Sequence, residues 1–224
     1  MLEDELEDIL GKACRAKAIP YSSLPSTLEE IAIRLELSSS ALKNLSNSFS
    51  EPELAEEVTK ITTSFGHLGV NCFFVQTPMK SYLIDTGTQW SKVQHLLPDF
   101  VLVTHDHHDH TQFSDRFNVK PFYPGSHTDL LDEKIMTFDV SGHCTPSLAY
   151  YFPYLSKPTC FVGDAIFKRS MGGCHTLSAY NDALSKVGNL LNTLPDETIL
   201  CVGHGPCTTV KLEKKENPFF AKQR

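Results

Sequence analysis

A mixed α/β fold behind a short helical lead is what the sequence predicts, and three observations predict it. From about Lys60 the chain breaks into β-branched and aromatic runs separated by glycine and proline. Segments of helical period interrupt those runs, most plainly over residues 176–194. The conspicuous histidines and carboxylates fall at the ends of the runs, where a sheet holds its functional loops.

The elements follow in chain order. Leu2, Leu6, Ile9, Leu10 and Ala13 recur at helical spacing with acids opposite, predicting a first helix from Leu2 to Lys17. After Pro20 and Pro25, Ser26 is placed to cap a helix starting at Thr27, with Glu29 three residues on in a capping-box pattern. Ser38–Ser40 make a break, and Ala41–Leu45 begin another short helix. Residues 26–45, STLEEIAIRLELSSSALKNL, are similar to the two helices of a helix-turn-helix. Their second helix offers one cation, Lys43, where phosphate contacts need several. The expectation for residues 1–56 is therefore a helical extension packed on a main domain of residues 57–224.

In that domain ITTSF, VNCFFVQ and SYLID read as consecutive strands, punctuated by Gly66, Gly69 and Pro78. VQHLL follows as a short helix, and FVLVT as a buried strand that ends at a histidine cluster. KIMTFDV, SLAYYF and TCFVGD are further strands. Thr176 to Leu194 form a helix with Leu177, Tyr180, Leu184, Val187 and Leu191 near one face, and TILCVG is the last strand.

The totals narrow the function. At 224 residues the chain supports one sizeable core with a small appendage. A formal net charge of −7 advertises no basic face, so a small-molecule substrate is expected rather than nucleic acid. No apolar stretch approaches the ~18 residues that cross a bilayer, which argues against a membrane partner. The start, MLEDELEDIL, lacks the pattern of a secretory signal, and seven scattered cysteines make no disulfide framework, so a reduced, cytoplasmic setting is expected. Ten histidines prompt a search for ligand spacing.

That spacing is in THDHHDH, Thr104–His110. Directly after FVLVT it sets His105, His107, Asp109 and His110 within six residues, a group costly to desolvate without a cation. His143, Asp164 and His204 follow, each preceded by a glycine that admits close backbone approach. Nitrogen and oxygen donors without a thiolate suit zinc, iron or manganese. His108 alternates away from the group, and His67, His95, His127 and His175 are assigned structural or surface roles. Cys144 and Cys174 invite a redox reading but fit better as small apolar filler. Lys168 and Arg169 are open to receiving a substrate anion or to lying in a solvated loop, and Tyr180 fits a core aromatic better than a substrate contact.

At these residues the chain resembles the metallo-β-lactamase superfamily, from roughly Thr59 to Phe220. NCFFVQ…SYLIDTG is similar to its opening strands, with Asp85 in the position of the carboxylate that supports the ligands. THDHHDH resembles its metal loop, SGHCTPS its third-histidine segment, and FVGDAIF the segment of its bridging aspartate. CVGHGPCTTVKLEKKENPFF is similar to the closing block of small hydroxyacylglutathione hydrolase-like members without the carboxy-terminal helical domain. The resemblance implies an αββα sandwich carrying two divalent metal ions, zinc foremost. It puts His105, His107 and His143 on one ion, Asp109, His110 and His204 on the other, and Asp164 on both. There are departures: Cys144 interrupts the family's GHTPG, and Ser170–His175, SMGGCH, replaces SIGRTD.

Those ions would hold a water as hydroxide and polarise a substrate carbonyl, with Asp109 and Asp164 positioning the nucleophile. Thioester hydrolysis, as of an acylglutathione, is the activity implied. The rivals are a mononuclear iron persulfide dioxygenase using His105, His143 and Asp164, a metallo-nuclease, and a DNA-binding regulator using residues 26–48.

Overall fold

The computed structural model of the chain describes residues 2–66, 68–125 and 134–221. Two sheets lie face to face. The first has the order β1–β2–β3–β4, from Val58–Phe65, Leu68–Gln76, Ser81–Ile84 and Phe100–Leu102. Its first three strands form an antiparallel meander, and β4 joins parallel to β3. The second has the order β11–β10–β7–β6–β5, from Thr208–Thr209, Ile199–Val202, Thr159–Gly163, Leu148–Phe152 and Met136–Asp139. A two-stranded hairpin, β8 (Ile166–Phe167) and β9 (Ser170–Met171), stands apart.

The strands read as near-continuous apolar runs because both faces of the sheets are covered. Phe73, Val75, Tyr82, Ile84 and Leu102 of the first sheet meet Tyr150, Phe152, Phe161, Ile199 and Cys201 of the second, forming the inner core. The alternate residues of the second sheet, among them Ala149, Cys160, Val162, Leu200 and Val202, turn outward onto Val187, Leu190 and Leu191. Those three belong to α6 (Leu177–Thr193), whose N-cap Thr176 accepts from the Ala179 amide. Outside the first sheet, Cys72 packs with Val93 of α4 (Trp90–Val93) and with Phe113. The result is an α/β/β/α stack. Among the described residues no helix is long and apolar enough to cross a membrane.

The amino-terminal helices are α1 (Leu2–Ala16), α2 (Leu28–Leu35) and α3 (Ser39–Lys43). Ile9, Leu10, Ala13, Ala32, Leu35 and Leu42 close a small core of their own, against which Phe219 packs. The cap of α2 falls one residue later than the sequence reading put it. Thr27, not Ser26, accepts from the Glu30 amide, and its hydroxyl also donates to the Glu30 carboxylate at 2.7 Å. Lys43 is paired with Glu29, so the second helix presents no free cation to a phosphate backbone. The strand and helix expectations of the main domain hold within a few residues, with α4 lying ahead of VQHLL. The hairpin β8–β9 and the closing helix α7 (Val210–Glu216) are additions the sequence reading lacked.

Arg169, at the turn of that hairpin, corrects both readings of it, as an anion receptor and as part of a solvated loop. It is 1% exposed, and its guanidinium holds Glu216 of α7 at 2.6 Å and the backbone carbonyls of Leu45 and Asn47. Lys168 is likewise engaged, pairing with Glu5. Beside Arg169, burial pushes the Glu213 carboxyl up to about 7, against hydrogen bonds from Thr208, Asn217 and the Arg169 amide. Because that value lies above the ordinary 4.5, the folded chain binds the extra proton between the two. The stability this group contributes is therefore fully present below ~4.5 and is lost as pH rises through 7. Melting temperatures from pH 5 to 8 should fall for the native chain and fall less for Glu213→Gln; parallel slopes would contradict the assignment.

Candidate metal centre

The two sheets and their loops bring seven side chains to one edge of the sandwich. The chain leaves β4 through Thr104 and turns into α5 (His108–Thr111), which delivers His105, His107, Asp109 and His110. His143 comes from the β5–β6 loop, Asp164 from the end of β7, and His204 from the loop after β10. They gather as two donor groups: His105, His107, His143 and Asp164, and Asp109, His110 and His204, each with its ligand atoms within 4.8 Å of one another. Asp164 also reaches the second group, 3.3 Å from the Nε2 atoms of both His110 and His204.

The hydrogen bonds behind the site fix which ring nitrogens carry protons. The His143 Nδ1 meets the Gly173 carbonyl and the His204 Nδ1 meets the Gly69 carbonyl, both at 2.7 Å, and a carbonyl only accepts. The His110 Nδ1 lies 2.8 Å from the Asp85 carboxylate. Thr104 gives its single hydroxyl proton to Asp85, so it accepts from the His105 Nδ1. Four imidazoles are thereby protonated outward at Nδ1 and turn Nε2 inward, where a neutral ring presents its lone pair. His105 Nε2 and His143 Nε2 lie 3.1 and 3.2 Å from His107 Nδ1. One proton on His107 can serve only one of those two neighbours.

These donors fit a cation. Zinc–nitrogen bonds of about 2.0–2.1 Å in a tetrahedral site set ligand nitrogens roughly 3.3 Å apart, close to the spacings found. His110 Nε2 and Asp164 Oδ1 are buried without a hydrogen-bond partner, although they lie 3.3 Å apart. Two fully buried polar atoms without partners cost several kcal/mol unless something coordinates them (~1–3 each). Burial pushes the His105 ring down to about 4. Burial also acts against protonating His110 and His204, yet Asp85 and Asp164 beside the first, and Asp109 and Asp164 beside the second, lift both to about 10. His110 and His204 in turn hold Asp164 well below the usual carboxylate range despite its burial. The site thus has strong affinity for positive charge, and divalent ions are the charge this donor set suits.

The close packing leaves no room for side chains at two glycines. A Cβ on Gly203 would collide with Asp164 Oδ1 and the His110 ring; one on Gly172 would collide with the Asp164 carbonyl and the His143 ring. His108 is exposed and outside the group, as are His95 and His175; His67 and His127 lie outside the described residues. Cys174 and Tyr180 are buried together in an apolar cluster. Cys144 is half-buried at the rim, its thiol donating to Asp106 at 2.9 Å.

What sequence reasoning missed is the support behind the ligands: Thr104 and the carbonyls of Gly69 and Gly173. Thr104 carried a signal, standing first in THDHHDH, but backbone carbonyls leave none. Asp85 joins that support most closely, accepting from the Thr104 amide, the Thr104 hydroxyl and His110. It sits in the left-handed region at φ 57°, which asparagine also tolerates. Asp85→Asn should keep the fold but lower divalent-metal affinity by about 10- to 100-fold, read by metal-buffered titration. Unaltered affinity would show that Asp85 does not orient His110.

Comparison with known proteins agrees with this architecture. The family model described as metallo-beta-lactamase superfamily matches residues 65–127, from the end of β1 past the histidine loop. A probable metallo-hydrolase of Streptococcus pyogenes serotype M6 is 25% identical over 210 residues, covering 72% of this chain and 90% of its own. A hydroxyacylglutathione hydrolase of Hamiltonella defensa is 34% identical over 130 residues, covering 49% of each chain. The chain thus spans about half the length of that relative. Among solved structures, the BLEG-1 B3 metallo-beta-lactamase superposes with a TM-score of 0.55 at 24% identity, over 73% of this chain and 100% of that one. Over its matched segment the chain is similar to the metallo-β-lactamase superfamily, and its fold is the one those solved structures share.

Proposed function

We propose that the chain is a hydrolase that works with two divalent ions, zinc foremost, and cleaves a thioester such as an acylglutathione. The observation that carries this reading is Asp164 within reach of both donor groups, its Oδ1 and the His110 Nε2 buried without a hydrogen-bond partner. In this reading residues 57–224 form the catalytic domain and residues 1–56 a helical extension. His105, His107 and His143 would hold one ion, Asp109, His110 and His204 the other, and Asp164 both.

When bound, the ions supply Lewis-acid polarisation of a carbonyl and a water acidic enough to ionise near neutral pH. The remaining work falls to the chain. Asp109 and Asp164 accept hydrogen bonds from the attacking water and so orient it. Asp85, Thr104, Gly69 and Gly173 hold the imidazoles in the one tautomer that presents Nε2 inward. What stands near the site supports the thioester reading. Tyr180 is buried in another cluster and Arg169 is committed to Glu216, so neither is placed to protonate a leaving group. A thiolate departs without such help, whereas an amine does not.

The test is turnover of S-lactoylglutathione before and after chelation. Activity lost with the ions and restored by zinc supports the reading. Undiminished activity in metal-free protein overturns it, and one iron per chain with oxygen consumption on glutathione persulfide would replace it with a dioxygenase.

A further inference from the structure

The loop that carries His204 begins and ends in cysteine: Cys201-Val-Gly-His204-Gly-Pro-Cys207. Its flanking strands, β10 and β11, are antiparallel, with Ile199 opposite Thr209 and Leu200 opposite Thr208. One step further, the same register sets Cys201 opposite Cys207. The kind of pair follows from the ladder. The Val210 amide donates to the Thr198 carbonyl at 3.1 Å, so Thr198 and Val210 are a hydrogen-bonded pair. Alternation then makes Leu200–Thr208 hydrogen-bonded and Cys201–Cys207 not. The Cys207 amide agrees, donating instead to Glu51 at 2.8 Å. In such a pair Cα atoms are roughly 4.5 Å apart and the side chains at their closest, inside the roughly 4.4–6.8 Å window that a disulfide spans.

Both thiols face the inner core, at 1% and 0% exposure. Cys160, on the strand beside β10, faces the opposite side of the sheet and is no competitor. A hydrogen bond from Cys201 holds the Cys207 thiol below its ordinary value, against its burial and with help from Lys60. The Lys60 ammonium lies 3.0 Å from the Gly205 carbonyl and 2.8 Å from Glu51. Gly205, at the crest of the loop, is exposed.

We infer that Cys201 and Cys207 are a redox modification site: a dithiol that a peroxide converts to a disulfide, closing the His204 loop into a ring. The Cys207 thiolate attacks one peroxide oxygen, giving a sulfenic acid and releasing the other oxygen as water. The Cys201 thiol then displaces the sulfenic oxygen, its proton leaving with that oxygen as a second water, and the S–S bond forms. The two thiol protons leave in the two waters, and the peroxide is the species reduced.

The experiment treats the full-length, metal-loaded protein with hydrogen peroxide, then unfolds it, alkylates it and maps thiols by mass spectrometry without reductant. Two of the seven thiols should become unreactive, and the tryptic peptide 187–211 should lose two hydrogens. Dithiothreitol should restore both thiols, and Cys207→Ala should leave Cys201 alkylatable after the same treatment. The inference is overturned if both cysteines stay reactive while Cys144 is consumed, or if Cys207 passes to sulfinic acid with Cys201 free.

Discussion

Asp164→Asn should abolish metal-dependent turnover while the fold survives. The substitution keeps the size and most of the hydrogen-bonding capacity of the side chain. It removes the negative charge that lies within 3.3–3.7 Å of the Nε2 atoms of His110, His204 and His143. Both donor groups lean on that charge, so both lose affinity together. A loss of at least ~10³-fold in kcat/KM, or about 4 kcal/mol, is the expected scale for removing a carboxylate shared between two cation sites. Far-UV circular dichroism should not change, because Asp164 lies just past the end of β7 and the inner core is built by other residues. Native turnover in this variant would refute the proposed site.

The second large effect concerns stability. Arg169→Met should lower the melting temperature by on the order of 10 °C, corresponding to ~3–5 kcal/mol, by stranding a buried carboxylate. Glu216 loses its buried partner and keeps only the exposed Lys215 at 3.5 Å, and the carbonyls of Leu45 and Asn47 lose their donor. Arg169 joins three parts of the chain, the segment after α3, the β8–β9 turn and α7, so the loss is felt by all of them. Adding Glu216→Gln should recover part of the stability, since the stranded charge is removed with it. A normal melting temperature with a raised KM would instead return Arg169 to the role of a substrate-anion receptor.

Arg169 also marks where the sequence ran out. Nothing in IFKRSM says that the second basic residue is buried while the first pairs at the surface; that depends on Glu216, 47 residues away. The central strands were legible because they are apolar on both faces, giving runs such as TCFVG and ILCV. The metal loop was legible because six residues held four donors that have no other use at that density. His143, Asp164 and His204 stood out by their place after glycines at strand ends, and the structure brings all three to the loop. The cap of α2 slipped by one residue because Ser26 and Thr27 both have capping hydroxyls, and only the backbone decides between them. Short pairings such as β8–β9 and β10–β11 escaped because two-residue strands have no period to read.

Elemental analysis of the purified protein is the most direct test of the two-ion site. With divalent metal supplied during expression, the native chain should hold two ions, and His204→Ala, missing one donor of the second group only, should hold one. A native chain that retains no ion, or two ions unaffected by the loss of His204, would contradict the site as assigned.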